Sequence, residues 1–171
     1  MMACLAALLA LAAGGDLACP PGSVRAGAAP PEGSEEWCEK PDDAGQPRRE
    51  GPARAFYDSG SVRSESTWRD GRLHGPFVEY HRDGKRARQG AYRDGEPHGP
   101  WTYFFEDGRK EEEVELDRGL RHGRFAAWWR NGRKRTEGRF CAGMQCGRWT
   151  TWDEEGNELG TAVYEEQSAR P

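Results

Sequence analysis

Three histidines, His74, His98 and His122, stand 24 residues apart, each directly before a glycine. Histidine is a common metal ligand, so a shared metal site is the first chemistry to weigh. If each copy of a repeat advances by two strands, equivalent positions lie about 10 Å apart, whereas zinc ligands crowd to about 2.0–2.2 Å from one ion. The spacing therefore assigns these histidines to hydrogen bonds at turns and not to a metal. His81 falls outside the series and reads as a surface residue. Glu111-Glu112-Glu113 and Glu154-Glu155 offer carboxylates for acid–base work. Neighbours on a strand point to opposite faces, so these runs make poor pairs and good solvated edges. No serine sits in a nucleophile elbow, and no glycine-rich phosphate loop precedes a helix. The residues supply no catalytic constellation, and the expectation is a chain without enzymatic activity or cofactor.

Four cysteines follow the apolar N-terminal stretch: Cys19, Cys38, Cys141 and Cys146. An even number behind an export signal reads as disulfides. Three pairings are open, and local spacing favours Cys19–Cys38 with Cys141–Cys146. The latter two have no further partner at the spacing of a redox or zinc motif.

The elements that must position these residues come from an internal repeat. Gly75–His98 reads GPFVEYHRDGKRARQGAYRDGEPH, copies of the same length follow from Gly99, Gly123 and Gly147, and a worn copy starts at Gly51. A second glycine series stands at Gly60, Gly84, Gly108, Gly132 and Gly156, and turn glycines at Gly71, Gly95, Gly119 and Gly143. In the copy from Gly75 the strand-like runs are Phe77–Arg82 and about Arg86–Tyr92, joined by Asp83-Gly84. That dipeptide predicts a two-residue type I′ hairpin, which demands positive φ at both positions. Hairpins in series predict an all-β fold, an elongated single-layer antiparallel meander of about five 24-residue repeats over residues 51–164. The composition, 32% charged against 35% apolar, agrees with a fold that lacks a large two-layer core.

Register follows from the turns. With a two-residue loop Arg82 faces Lys85, and counting outwards Phe77 faces Gly90, Trp101 faces Val114, Phe125 faces Gly138 and Trp149 faces Ala162. Each large ring then lies over a small partner. Between copies, Tyr92 facing Gly99 places Phe140 opposite Gly147 and Cys141 opposite Cys146. Directly opposed residues of a non-hydrogen-bonded pair approach to about 4.5 Å at Cα, within disulfide reach. Alternation puts Phe77, Tyr92, Trp101, Tyr103, Phe105, Phe125, Trp129, Phe140, Trp149 and Tyr164 on one face, as the structural core. Phe56, Tyr80, Phe104, Trp128 and Trp152 form one column on the other face. Tyr80, Phe104, Trp128 and Trp152, with Arg82, Arg109 and Arg130 beside them, are the candidate binding surface, because rings and arginine dominate interface energies.

Residues 3–13 (ACLAALLALAA) are an uncharged apolar run, shorter than the ~20 residues of a bilayer span and placed as the heart of a signal peptide over residues 1–18. Cys19 raises the question of lipid attachment, but Asp16 stands where that modification prefers an apolar residue. Residues 19–50 are rich in proline and glycine and read as a disulfide-closed leader without helix or long strand, either capping the first copy or hanging loose. Residues 165–171 read as a polar tail. The net charge of −4, with Arg and Glu interspersed, excludes the basic stripe of a nucleic-acid binder.

The pattern G-[PR]-[FW]-x-x-[YFW]-x-x-[DN]-G, then a ring, a glycine turn and His-Gly, resembles bacterial MORN repeats, closest to the YwqK-type variant associated with toxin–antitoxin systems. It runs from Gly51 to about Tyr164. The resemblance implies a β-hairpin array used for protein–protein or membrane-surface contact, without catalysis. The first copy lacks the ring at Ala53 and the last lacks the glycine turn near Gln167, as terminal copies do. The leading expectation is an exported, periplasmic or extracellular interaction scaffold for a protein partner. The alternatives are a binder of membrane headgroups or envelope glycan, and the antitoxin- or immunity-like partner of a toxin that the family name implies.

Overall fold

The structure is a computed structural model, and it describes residues 16–165. The expected signal segment and polar tail lie almost wholly outside them. All described regular structure is β. The strands are β1 (Val24–Ala28), β2 (Glu35–Pro41), β3 (Pro47–Phe56), β4 (Val62–Arg69), β5 (Arg72–Tyr80), β6 (Arg86–Arg93), β7 (Glu96–Pro97), β8 (Gly99–Phe104), β9 (Lys110–Asp117), β10 (Leu120–Trp128), β11 (Lys134–Cys141), β12 (Met144–Trp152) and β13 (Glu158–Tyr164). They form one antiparallel sheet in chain order, with the short β7 pairing only β6. This is the expected meander of hairpins.

The turns divide into two kinds, and the type I′ turn expected at Asp83-Gly84 is found between the copies instead. At Asp83-Gly84 only the glycine has positive φ, 82°. Gly84 N–H donates to the His81 carbonyl at 2.9 Å and His81 N–H to the Lys85 carbonyl at 2.7 Å, so the loop has three residues. Arg82 does not face Lys85. A type I turn closed by a left-handed glycine needs only one residue at positive φ, and the Asp83 carboxylate accepts the Lys85 N–H at 3.0 Å. One extra residue on β6 then shifts the pairing between Tyr80 and Glu79, so that Tyr80 pairs with Arg86 while Phe77 still pairs with Gly90. The type I′ turns lie between copies, where Asp70-Gly71, Asp94-Gly95, Arg118-Gly119 and Ala142-Gly143 have positive φ at both residues.

The turn between copies also corrects the second register. Tyr92 pairs with Pro97, Phe140 with Gln145 and Cys141 with Met144. Away from the turn the expected register returns, as Arg88 pairs with Tyr103 and Glu137 with Thr150. Two residues are absorbed by a bulge around the first glycine of each copy, where Gly75, Gly99, Gly123 and Gly147 all have positive φ. An even insertion preserves the alternation of faces, so the rings within the strands sort as expected, whereas Phe105 and Trp129 fall past the ends of β8 and β10 and Tyr164 is exposed, all three outside the core. Cys141 and Cys146 are therefore diagonal neighbours, and their disulfide spans 5.8 Å between Cα atoms. The pairing was anticipated correctly, through a register that was two residues out.

One face holds the core: Trp101, Val114, Phe125, Ala127, Phe140 and Trp149, with Phe77, Tyr92, Tyr103 and Leu116 packed against it. Trp101 is only 1% exposed. Gly90 and Gly138 make room for the indoles of the next copy, since a Cβ there would sit 2.3 Å and 2.2 Å from Trp101 and Trp149 ring atoms. A single layer buries rings this way because each aromatic ring covers its neighbours along the row.

The leader does not hang loose. It contributes β1, β2 and the start of β3, and Cys19–Cys38 closes it at a Cα separation of 5.4 Å. Contrary to the expectation of no long strand, β2 runs seven residues with Glu36 and Cys38 buried. Its prolines permit this by standing at strand ends (Pro41, Pro47) or in the turn before β2 (Pro30, Pro31).

The sheet edges are stitched copy to copy. Gly71, Gly95, Gly119 and Gly143 each donate an N–H to the carbonyl of Arg49, Leu73, Pro97 and Arg121 respectively. On the opposite edge Lys85 Nζ, Arg109 Nη1 and Arg133 Nη1 donate to the carbonyls of Glu106, Arg130 and Glu154 at 3.1, 2.6 and 3.0 Å.

Candidate functional site

The face opposite the rings is polar and carries the expected column. Tyr80, Phe104, Trp128 and Trp152 are half-buried there. Phe104 pairs with Lys110 and Trp128 with Lys134. Each lysine also leans over the ring of the following copy: Lys110 Nζ lies 5.9 Å from the Trp128 ring centre and Lys134 Nζ 5.7 Å from that of Trp152. The same lysines pair with Glu113 and Glu137 at 2.5 Å. The column is thus a lysine–glutamate–ring unit repeated along the sheet.

The three arginines expected beside these rings lie elsewhere. Arg82 and Arg130 sit on the turn edge, their guanidinium carbons 5.0 Å from the Tyr57 and Phe105 ring centres. Arg109 is the edge stitch to the Arg130 carbonyl. His81 is likewise no loose surface group: it is half-buried, with Nε2 3.2 Å from the Phe104 carbonyl. His74 Nδ1 approaches Asp94 at 3.2 Å, a contact from one turn to the next. His98 Nδ1 lies 3.3 Å from Asp117 but without hydrogen-bond alignment. Among the described residues no group of three or more His, Cys, Asp or Glu side chains is placed to hold a metal ion.

At its N-terminal end the polar face is a closed charge network. Arg54 is 7% exposed and Glu36 3%. Arg54 Nη1 lies 3.3 Å from Glu36 and its Nε 3.5 Å from Glu65. Arg25 bonds Glu36 from the outer strand. The Tyr80 hydroxyl donates to Glu65 at 2.8 Å. Burial, reinforced by that neighbouring carboxylate, pushes the Tyr80 phenol up to about 12.

At its C-terminal end the same face opens into a trough of about 650 Å³ across β8 to β12. Thr102, Glu113, Ala126, Glu137 and Thr150 line it as one cross-strand row. Arg124, Arg139 and Arg148 line it from the side away from the rings, and all three are exposed. Arg124 pairs directly with Arg139 across β10 and β11. No carboxylate lies within ion-pair distance of any of the three among the described residues. Sequence reasoning missed this trio. The signal was present: the second residue of each copy is proline at Pro52, Pro76 and Pro100, then arginine at Arg124 and Arg148.

Comparison with known proteins agrees with this architecture. Residues 49–70 match the family model of the MORN repeat variant, which supports a MORN-repeat protein. No curated protein matches the chain in sequence. Among solved structures, one chain of the GtfA/B complex bound to UDP and GlcNAc aligns at 12% identity with a TM-score of 0.24, covering 70% of this chain and 24% of that one. The chain thus spans about a quarter of that relative, and so low a score carries no argument about function.

Proposed function

We propose that this chain is a non-enzymatic binding scaffold that docks a protein partner on the polar face of its middle and C-terminal repeats. The MORN repeat variant points to a repeat-based interaction module. The observation that carries the choice of face is the fate of the rings. Trp101, Phe125, Phe140 and Trp149 are consumed by packing on one another, leaving the trough and the Phe104–Trp128–Trp152 column accessible on the other side. Two disulfides, with the apolar N-terminal run, support an oxidising, exported location.

Site-specific photocrosslinking in the cells that make the protein tests the reading. A crosslinker at Thr102 or Ala126 is expected to capture a partner, and one at Arg121 on the ring face is not. Capture from Arg121 alone would reverse the assignment of faces. A folded Phe104→Ala/Trp128→Ala variant that retains every crosslink would remove the ring column from the site.

A further inference from the structure

The trough arginines differ from the paired cations beside them on the same face. The chain carries more acidic than basic residues, 29 against 25, so carboxylates are not scarce. Three other cations of the polar face are matched: Arg54 to Glu36 and Glu65, Lys110 to Glu113, Lys134 to Glu137. Arg124 and Arg139 instead oppose each other directly, an arrangement that destabilises a strand pair. Arg148 borders the same trough on the next strand. The position that carries proline in the earlier copies has become Arg124 and Arg148, and the position of Thr67, Ala91 and Glu115 has become Arg139, at a cost to the folded chain.

We propose that Arg124, Arg139 and Arg148 receive the carboxylates of an acidic, extended segment of a partner protein lying across β10 to β12. This deepens the reading above and rests on it. Adjacent strands are about 4.8 Å apart, so the line spans about 10 Å, and an extended peptide repeats same-side residues about every 6.6–6.8 Å. Acidic residues at alternate positions therefore place two carboxylates along the line, each offered a planar fork. Thr102 and Thr150 add hydroxyls for the peptide backbone, and Ala126 leaves space above the floor. Trp128 and Trp152 stand on the far side of the floor row, within reach of the segment's larger side chains. The chemistry favours singly charged, spaced carboxylates over a phosphate-rich surface. Glu113 and Glu137 on the floor repel dense negative charge, while their lysines are already engaged.

The test is fluorescence anisotropy of the intact protein with a labelled peptide alternating glutamate and valine, beside a lysine–valine control and phosphatidylserine vesicles. The glutamate peptide is expected to bind, with affinity falling as salt rises. Removing one fork weakens binding about tenfold, the size of a charge-assisted hydrogen bond. Arg139→Gln should show that loss while its melting temperature stays equal or rises, because the opposed pair is relieved. Arg82→Gln, on the turn edge, should change nothing. No binding of the glutamate peptide, or equal binding by Arg139→Gln, overturns the proposal. Vesicle binding without peptide binding overturns it and assigns the trio to a membrane. Should Thr102 still crosslink a partner while the peptide fails, only the identity of the partner's chemistry falls and the binding face stands.

Discussion

The first three copies and the last two share one face and differ on the other. On the ring face the triad Phe77, Tyr92 and Trp101 recurs 48 residues on as Phe125, Phe140 and Trp149. The first two rings are 5.3 Å apart in both triads, and the second and third are 5.3 Å and 5.0 Å apart. On the polar face the leader and the early copies tie Glu36, Arg54, Glu65 and Tyr80 into a closed network, whereas the late copies leave Arg124, Arg139 and Arg148 open. The ring face carries stability in both halves, joined in the early half by the buried polar network. The open part of the varying face is free to carry recognition, because its arginines are exposed and take no part in the ring packing.

Breaking the closed half gives the largest expected effect. Arg54→Ala leaves the Glu36 carboxylate buried with one partner fewer, and about 3–5 kcal/mol of stability should be lost in urea unfolding. A loss no greater than that of an exposed arginine would mean the network is not closed. The shared ring face should show no such difference between halves. Alanine normally stabilises a strand relative to glycine, yet Gly90→Ala and Gly138→Ala drive a Cβ into an indole and should each cost about 1–3 kcal/mol. Unequal losses would show that the two triads are not equivalent.

A pH experiment separates the halves more gently. The folded Tyr80 phenol ionises only at about 12, above its ordinary value near 10. Because the folded value is raised, its contribution is fully present below about 10 and disappears as pH climbs towards 12. Melting temperature should fall through that window, and Tyr80→Phe should flatten the fall; an unchanged slope would remove Tyr80 from the network. The smallest effect sharpens the comparison from the open side. Arg124→Pro restores the residue of the early copies and should alter stability by no more than about 0.5 kcal/mol while weakening binding of the acidic peptide. A large destabilisation would show that Arg124 serves the fold.

The amino-acid sequence determined the period, the hairpin order, the antiparallel sheet and the division between faces of the rings within the strands, and of three open cysteine pairings it favoured the one the structure has. It could do so because period-two alternation and glycine turns are local properties, read within one copy and confirmed by the next. The tertiary structure alone decided the rest. The same dipeptide closes a three-residue loop at Asp83-Gly84 and a two-residue turn at Asp94-Gly95, and the bulge at Gly147 moved Cys146 from opposite Cys141 to its diagonal. Arg82, Arg109 and Arg130 went to the turn edge, where the preceding copy's rings and the following copy's carbonyls meet them. The unpaired line of Arg124, Arg139 and Arg148 became visible only once three strands stood side by side, since whether a charge has a partner depends on residues distant in the chain.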